Sequence, residues 1–257
     1  MQADTIVPEP GNPQALNRFS YVYSNALRYT DSTGHIKNDA AEVRRAQEIL
    51  DLLAQYGVSI TCDWGWRRAD DISSPYWEEG SWELGELEYV LVGVERLGGE
   101  LGGARAFRES IGWAHFRRVR GRDLLWLACT YIVPRVRPAA LTLGRVITLY
   151  DSTFTDYANP AEVAVHELAH VWAIGTWASG SIGDFVGTEL RPSRYAYQNP
   201  EEHWAEAVAH VLCPSHHAPV GPLHRQYVAL AVEGRIPEPF WYTDLMRCYE
   251  SLEYIGL

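Results

Sequence analysis

Residues 166–170 read His-Glu-Leu-Ala-His. On an α-helix, positions i and i+4 lie one turn apart on one face, so the imidazoles of His166 and His170 can meet one metal ion. Zinc takes histidine nitrogens at about 2.0–2.1 Å and keeps a position open for water or substrate in catalytic sites. The residue after the first histidine then stands beside that open position, where the Glu167 carboxylate could take a proton from the bound water. The H-E-x-x-H pattern has this chemistry only if the segment is helical. Two features predict that it is. Asn159-Pro160 upstream supplies an N-cap followed by the proline favoured at the first helical position, with Glu162 placed for a capping box. Val163, Val165, Leu168, Val171, Trp172 and Ile174 then make the helix apolar almost all round, which predicts burial. Two histidines and a glutamate inside such a helix need partners, and a metal would satisfy them.

Two histidines leave a ligand wanting. The residues after His170 are Val-Trp-Ala-Ile-Gly-Thr-Trp, so a third histidine soon after the motif is excluded. A second segment opens in the same way, Asn199-Pro200, and runs Glu-Glu-His-Trp-Ala-Glu-Ala-Val-Ala-His to His210. Glu202 and Glu206 share a helical face, and Ala205 and Ala209 on it would let two helices approach closely. Glu202 also stands three residues after Asn199, where a capping-box glutamate would sit. Glu201 suits the helix N-terminus electrostatically. His203 lies about 100° round from Glu202 and should face elsewhere. His210, one turn beyond Glu206, could support a ligand. His216, His217 and His224 follow without a recognisable spacing.

The segment YAYQNPEEHWAE (residues 195–206), taken with HELAH, resembles the catalytic domain of the anthrax lethal factor-like zinc metallopeptidases. These are gluzincins, with HExxH, a tyrosine seven residues before a ligand glutamate, and E-x-x-A-E on the second helix. The resemblance covers residues 151–210 and reaches back to the strand at 146–150, which is similar to the edge strand preceding the zinc helix. It implies a zinc-dependent endopeptidase with one Zn2+ ion held by His166, His170 and Glu202. Glu167 would be the catalytic base and Tyr195 the phenol that donates to the developing oxyanion, although Tyr197 lies closer to the helix. Glu206 would orient a ligand histidine, and Asn199 matches the asparagine preceding the helix. Substrates would be peptides or proteins, and a secreted setting suits the resemblance better than a cytoplasmic one. A catalytically degenerate zinc-binding or toxin-like interaction module is the alternative.

The elements that must position these groups are read from periodicity and punctuation. Residues 39–56 have helical spacing, followed by a strand at 58–62 and a Trp-, Asp- and Pro-rich loop at 64–82. Helix resumes at 84–97, closed by Gly98 and Gly99. Strands are expected at 107–111, 114–120, 124–133 and 146–150. After the zinc helix, residues 178–197 read as a long loop. Helices follow at 223–232 and 242–254. The expected class is α+β, a small mixed sheet with an edge strand beside the HExxH helix, packed by several helices as in a zincin. Residues 1–15 form a flexible lead-in, residues 16–82 a helical and loop region that could cap the site, and residues 83–257 the metallopeptidase domain.

Composition bounds the rest. The chain has 257 residues, 47% of them hydrophobic, and a formal net charge of −11. A core of real size can form, and the charge argues against nucleic acid as the main partner, which needs a basic face. Residues 1–14 carry neither the basic nor the apolar stretch of a signal peptide, and the apolar run near residues 124–133 is too short for a transmembrane segment. Cys62, Cys129, Cys213 and Cys248 form no CxxC pair. They are either buried thiols or one or two disulfides. The ten tryptophans suit a core better than a substrate groove. Oligomeric state is not readable.

Overall fold

A computed structural model describes residues 40–60, 78–79, 82–120, 138–174, 176, 178–213 and 220–236. In chain order the elements are α1 (Ala40–Gln55), β1 (Val58–Ile60), β2 (Glu78–Glu79), α2 (Leu84–Leu101), α3 (Ala104–Ile111), β3 (Ala114–Arg120), β4 (Ala140–Leu143), β5 (Val146–Tyr150), α4 (Asp151–Thr155), α5 (Pro160–Ala173), α6 (Ala178–Val186), a 3₁₀ turn (Tyr195–Tyr197), α7 (Pro200–Leu212) and α8 (Pro222–Val232). The class is α+β. No described helix is long and apolar enough to cross a membrane.

The sheet is mixed, in the order β1-β3-β5-β4, with the short β2 also pairing with β3. β1, β3 and β5 run parallel, and β4 closes one edge antiparallel to β5. The edge strand beside the HELAH helix is therefore β4, which packs on α5, and not the 146–150 strand expected in that place. β5 is interior, paired on both sides. The β4–β5 hairpin turns through Gly144-Arg145, between the paired Leu143 and Val146. Gly144 has φ +59°, as a tight two-residue hairpin turn demands. Two apolar runs separated by a glycine-led pair of residues are a hairpin signal, but the first run is only four residues long.

Two further expectations are corrected. Residues 107–111 are not a strand but the last turns of α3. Phe107 and Ile111, one turn apart, are its buried face, while Arg105 and Glu109 pair on its outer side at 2.8 Å, a helical i,i+4 arrangement. Residues 178–197 are not all loop. Small and glycine residues disguise α6, whose Ala178, Ile182 and Val186 recur every four residues as a buried stripe and whose Ser181 hydroxyl meets Tyr227 Oη at 2.5 Å. α2 also continues through Gly98 and Gly99 to end at Gly102. The strand expected at 124–133 and the helix at 242–254 lie outside the described residues.

The core is sandwiched between sheet and helices, with α5 at its centre: Val165, Leu168 and Ala169 have no exposed surface. α5 packs on α7 most extensively and on α2 next. α1 and β1 share this core, since Ile49, Leu53 and Val58 belong to the same cluster as α5. On α2, Gly93 faces α5 so closely that a Cβ there would lie 2.8 Å from Ala164 Cβ and 2.9 Å from the Ala161 carbonyl oxygen. An inner ion pair fixes the far end of the sheet. Arg118 of β3 donates to Glu86 of α2 at 2.9 Å and to Asp151, the first residue of α4, at 2.6 Å.

Gly93 yields a directional test. Glycine-to-alanine changes inside helices ordinarily stabilise by about 0.4–1 kcal/mol. At Gly93 the clash with backbone outweighs that gain, and Gly93→Ala should destabilise by about 1–3 kcal/mol in urea unfolding. Gly85, in the same helix, is the control. A Cβ added there would meet no described atom within 4 Å, and Gly85→Ala should be neutral or stabilising.

Candidate metal centre

α5 is an apolar, buried helix, as its composition requires: eleven of its residues are buried, His166 and Glu167 among them. Pro160 opens it, but Asn159 makes no side-chain cap; only its backbone carbonyl accepts, from Glu162 N at 3.0 Å. α7 is capped as its sequence suggests. Asn199 Oδ1 accepts from the backbone N–H of Glu202 at 2.7 Å, so Asn199 acts on the position of Glu202 through its backbone.

The two helices are clamped together by Trp204. It is fully buried, donates its indole N–H to the Ala169 carbonyl of α5 at 2.9 Å, and meets Trp172 edge-on at 5.1 Å between ring centroids. Ala205 and Ala209 of the same helix are buried too. Trp172 and Trp204 are thus core, as expected, and Trp82 packs against the core edge. Trp64, Trp66 and Trp77 lie outside the described residues.

This clamp brings His166, His170 and Glu202 into one cluster. His166 Nε2 and His170 Nε2 are 3.2 Å apart. Glu202 Oε2 is 3.1 Å from the first and 3.4 Å from the second. Ligands in a tetrahedron at about 2.0–2.1 Å from zinc are spaced by about 3.3–3.4 Å. The three donor atoms therefore form a triangle of the size that a tetrahedral zinc site needs, and two imidazoles with one carboxylate are a donor set zinc accepts.

The surrounding groups complete the arrangement. Glu206 Oε1 lies 3.0 Å from His166 Nδ1, so the second nitrogen of that ring is held by a carboxylate. Tyr195 Oη donates to Glu202 Oε1 at 3.3 Å, and its ring centroid is 6.0 Å from that of His166. Tyr197 goes elsewhere, with the Arg191 guanidinium 4.7 Å over its ring. Of the two candidate tyrosines, Tyr195 is the one whose hydroxyl reaches Glu202. Glu167 lines an open cleft of about 320 Å3 together with His170, Glu202, Tyr195, Glu201 and residues of β4. The rival histidines are accounted for: His203 Nε2 meets His224 Nε2 at 2.8 Å in the core, and His210 Nδ1 meets the Glu206 carbonyl at 3.0 Å. His216 and His217 are outside the described residues. Cys213 is a buried free thiol; Cys62, Cys129 and Cys248 are not described.

Two site contacts lie outside the residues read as candidates from the sequence. Thr142 of β4 donates its hydroxyl to Glu167 Oε2 at 2.5 Å. Ser193 Oγ accepts from Tyr195 N at 3.0 Å and Ala196 N at 3.2 Å and also hydrogen-bonds Glu206. A serine before a tight turn is a recognised cap for backbone N–H groups, so Ser193 was discoverable. Thr142 was not, because its contact spans the strand–helix junction.

Electrostatics follow the same geometry. Burial alone would lower the pKa of His166, but hydrogen bonds to Glu202 and Glu206 and the charge of Glu167 outweigh it, taking the imidazole up to about 10. Burial would raise Glu202, yet His166 and His170 bring it down to about 2. Glu206 is lowered too, against burial, by its bond to His166. Tyr195 is raised by burial and by Glu202 and Glu167, so its phenol keeps its proton through neutral pH. Burial and the charge of Arg191 depress His203 to about 4, leaving that imidazole neutral.

No family model matches the chain, and no curated protein does. Among solved structures the chain is similar to one from Bacteroides caccae, described as a "putative zinc-binding metallo-peptidase", at 17% identity over 82% of this chain and 85% of that one, with a TM-score of 0.35.

A proton on His166 and a metal ion compete for the same nitrogen, which sets a pH dependence. In the metal-free protein a raised His166 stabilises the fold fully below its unfolded value and loses that contribution as pH rises through about 10. The lowered Glu202 contributes above its unfolded value and loses its contribution as pH falls through about 2. Each zinc ion bound near neutral pH must therefore release a proton. The apparent association constant, measured against a competing chelator, should rise about tenfold per pH unit from roughly pH 7 to 9. A plateau starting near pH 7 would show that His166 titrates ordinarily.

Proposed function

We propose that the chain is a zinc-dependent endopeptidase of the gluzincin type, similar to the lethal factor-like peptidases, with His166, His170 and Glu202 holding one Zn2+ ion. The observation that carries this reading is the triangle of donor atoms with edges of 3.1, 3.2 and 3.4 Å. It opens on a cleft that also contains a glutamate and a tyrosine. A metal-binding scaffold without catalysis would have no need for either.

A divalent zinc ion bound there supplies Lewis-acid polarisation of a peptide carbonyl and acidifies water. The chain's own residues do the rest. Glu167 takes the proton of the attacking water, then returns it to the departing amine. Tyr195 Oη, protonated and 3.3 Å from Glu202, exchanges that contact for the oxygen on which negative charge develops. Glu206 accepts the Nδ1–H of His166, which fixes the tautomer that leaves Nε2 with its lone pair. Trp204 ties α7 to α5 and Asn199 caps α7 at Glu202, so that these groups need not reorganise.

The test is a peptide-library or casein digest with zinc-loaded protein, with and without chelator. Hydrolysis should require the metal. Glu167→Gln should retain zinc and lose hydrolysis, because an amide cannot take the proton. Glu202→Ala should lose both. Tyr195→Phe should retain zinc and lose about 10–1,000-fold in kcat, by analogy with the removal of an oxyanion donor. Zinc bound stoichiometrically with no cleavage of any library peptide would favour the alternative, a zinc-binding or toxin-like interaction module.

A further inference from the structure

The edge strand does more than wall the cleft. β4 alternates in the ordinary way, with Leu141 packing beside Val119 and Tyr150 and Thr142 directed at α5. The Thr142 hydroxyl reaches Glu167 Oε2 at 2.5 Å, the length of a hydroxyl–carboxylate hydrogen bond with an ionised acceptor. A second, longer approach to the Glu167 backbone carbonyl, at 3.4 Å, places the same oxygen over the first turn of the motif. Strand propensity explains a β-branched residue at this position. It does not explain the hydroxyl, since valine would fill the same space and pack as well.

We propose that Thr142 is a positioning residue for Glu167. Its hydroxyl fixes one carboxylate oxygen, Oε2, and so commits Oε1 to the proton transfer. This inference rests on the peptidase reading of the site. A glutamate side chain has three rotatable bonds, and a carboxylate in an open cleft would otherwise sample several rotamers. Pinning Oε2 to a strand that is itself hydrogen-bonded to β5 restricts Glu167 to one of them. When water attacks, the water O–H bond breaks and an Oε1–H bond forms, while Oε2 stays with the Thr142 hydroxyl. Alignment of this kind is realised in the rate of the chemical step and leaves substrate binding alone.

The experiment compares Thr142→Val, which keeps the shape and removes the hydroxyl, with Thr142→Ser, which keeps the hydroxyl. The expected result is a loss of at least about tenfold in kcat for Thr142→Val, with KM and zinc affinity within about twofold of the parent. Thr142→Ser should restore kcat to within about threefold. Equal loss in both variants would assign the effect to strand shape and overturn the proposal, as would full activity in Thr142→Val. A binding measurement keeps the test independent of turnover. Acetohydroxamate binding to the zinc-loaded protein should weaken in Thr142→Val, and this weakening should vanish when Glu167→Ala is already present. Should the parent protein cleave nothing, the peptidase reading falls, while this coupling still decides whether Thr142 acts through Glu167. No coupling between the two positions overturns the proposal. If Thr142→Val does not fold, Thr142→Ala enters the same two measurements.

Discussion

Three lone-pair donors within 3.4 Å of one another cannot sit together at a helix junction without a proton or a cation among them. Two imidazole nitrogens and a carboxylate oxygen all turn electron density toward one point. In the metal-free protein a proton on His166 meets this need, and the carboxylates of Glu202, Glu206 and Glu167 hold it there well above the usual imidazole range. The same requirement explains why both His166 nitrogens face carboxylates, Glu202 on one side and Glu206 on the other. The rest of the fold can be understood as what keeps these atoms in place against their own repulsion.

That task falls on the junction of α5 and α7. Trp204 fills the junction with one large buried ring whose N–H is given to the α5 backbone. A purely apolar contact could slide along the helix axis. A buried indole N–H cannot slide off the Ala169 carbonyl without itself being left unsatisfied, at about 1–3 kcal/mol. On the opposite side of α5, the absence of a side chain at Gly93 lets α2 press against it. Below, β4 meets it through Thr142. α5 is thus held from three directions, and the histidines inherit its position.

Much of this centre was legible in the sequence because its signals are local. HELAH and its apolar flanks specify a buried helix with two histidines on one face. The Asn-Pro opening and the Glu202/Glu206 spacing specify the second helix, and the small alanines hint that the two meet. What escaped was set by tertiary context. β4 is four residues long, too short for periodicity to register, and only its pairing with β5 makes it a strand. α3 carries apolar residues at 107 and 111 that suit either period until burial selects the helix. α6 is written in serine and glycine, whose helix propensity is poor, and exists because Ile182 and Val186 have a core to enter. The contact between Thr142 and Glu167 joins residues that no sequence pattern links.

The charge balance accounts for why this arrangement would prefer a divalent ion to a proton. Glu202 and Glu206 are both pulled below the usual carboxylate range and carry two negative charges at neutral pH. One protonated His166 leaves a net charge of −1 on these three groups, inside a wall that is only partly wetted. A divalent cation in its place brings the sum to zero and lets His166 keep the Nδ1–H that Glu206 accepts. Low-dielectric surroundings magnify the difference between those two sums. Glu206, which does not belong to the donor triangle, therefore contributes twice: it fixes the ring and it adds the charge that a monovalent occupant leaves unbalanced.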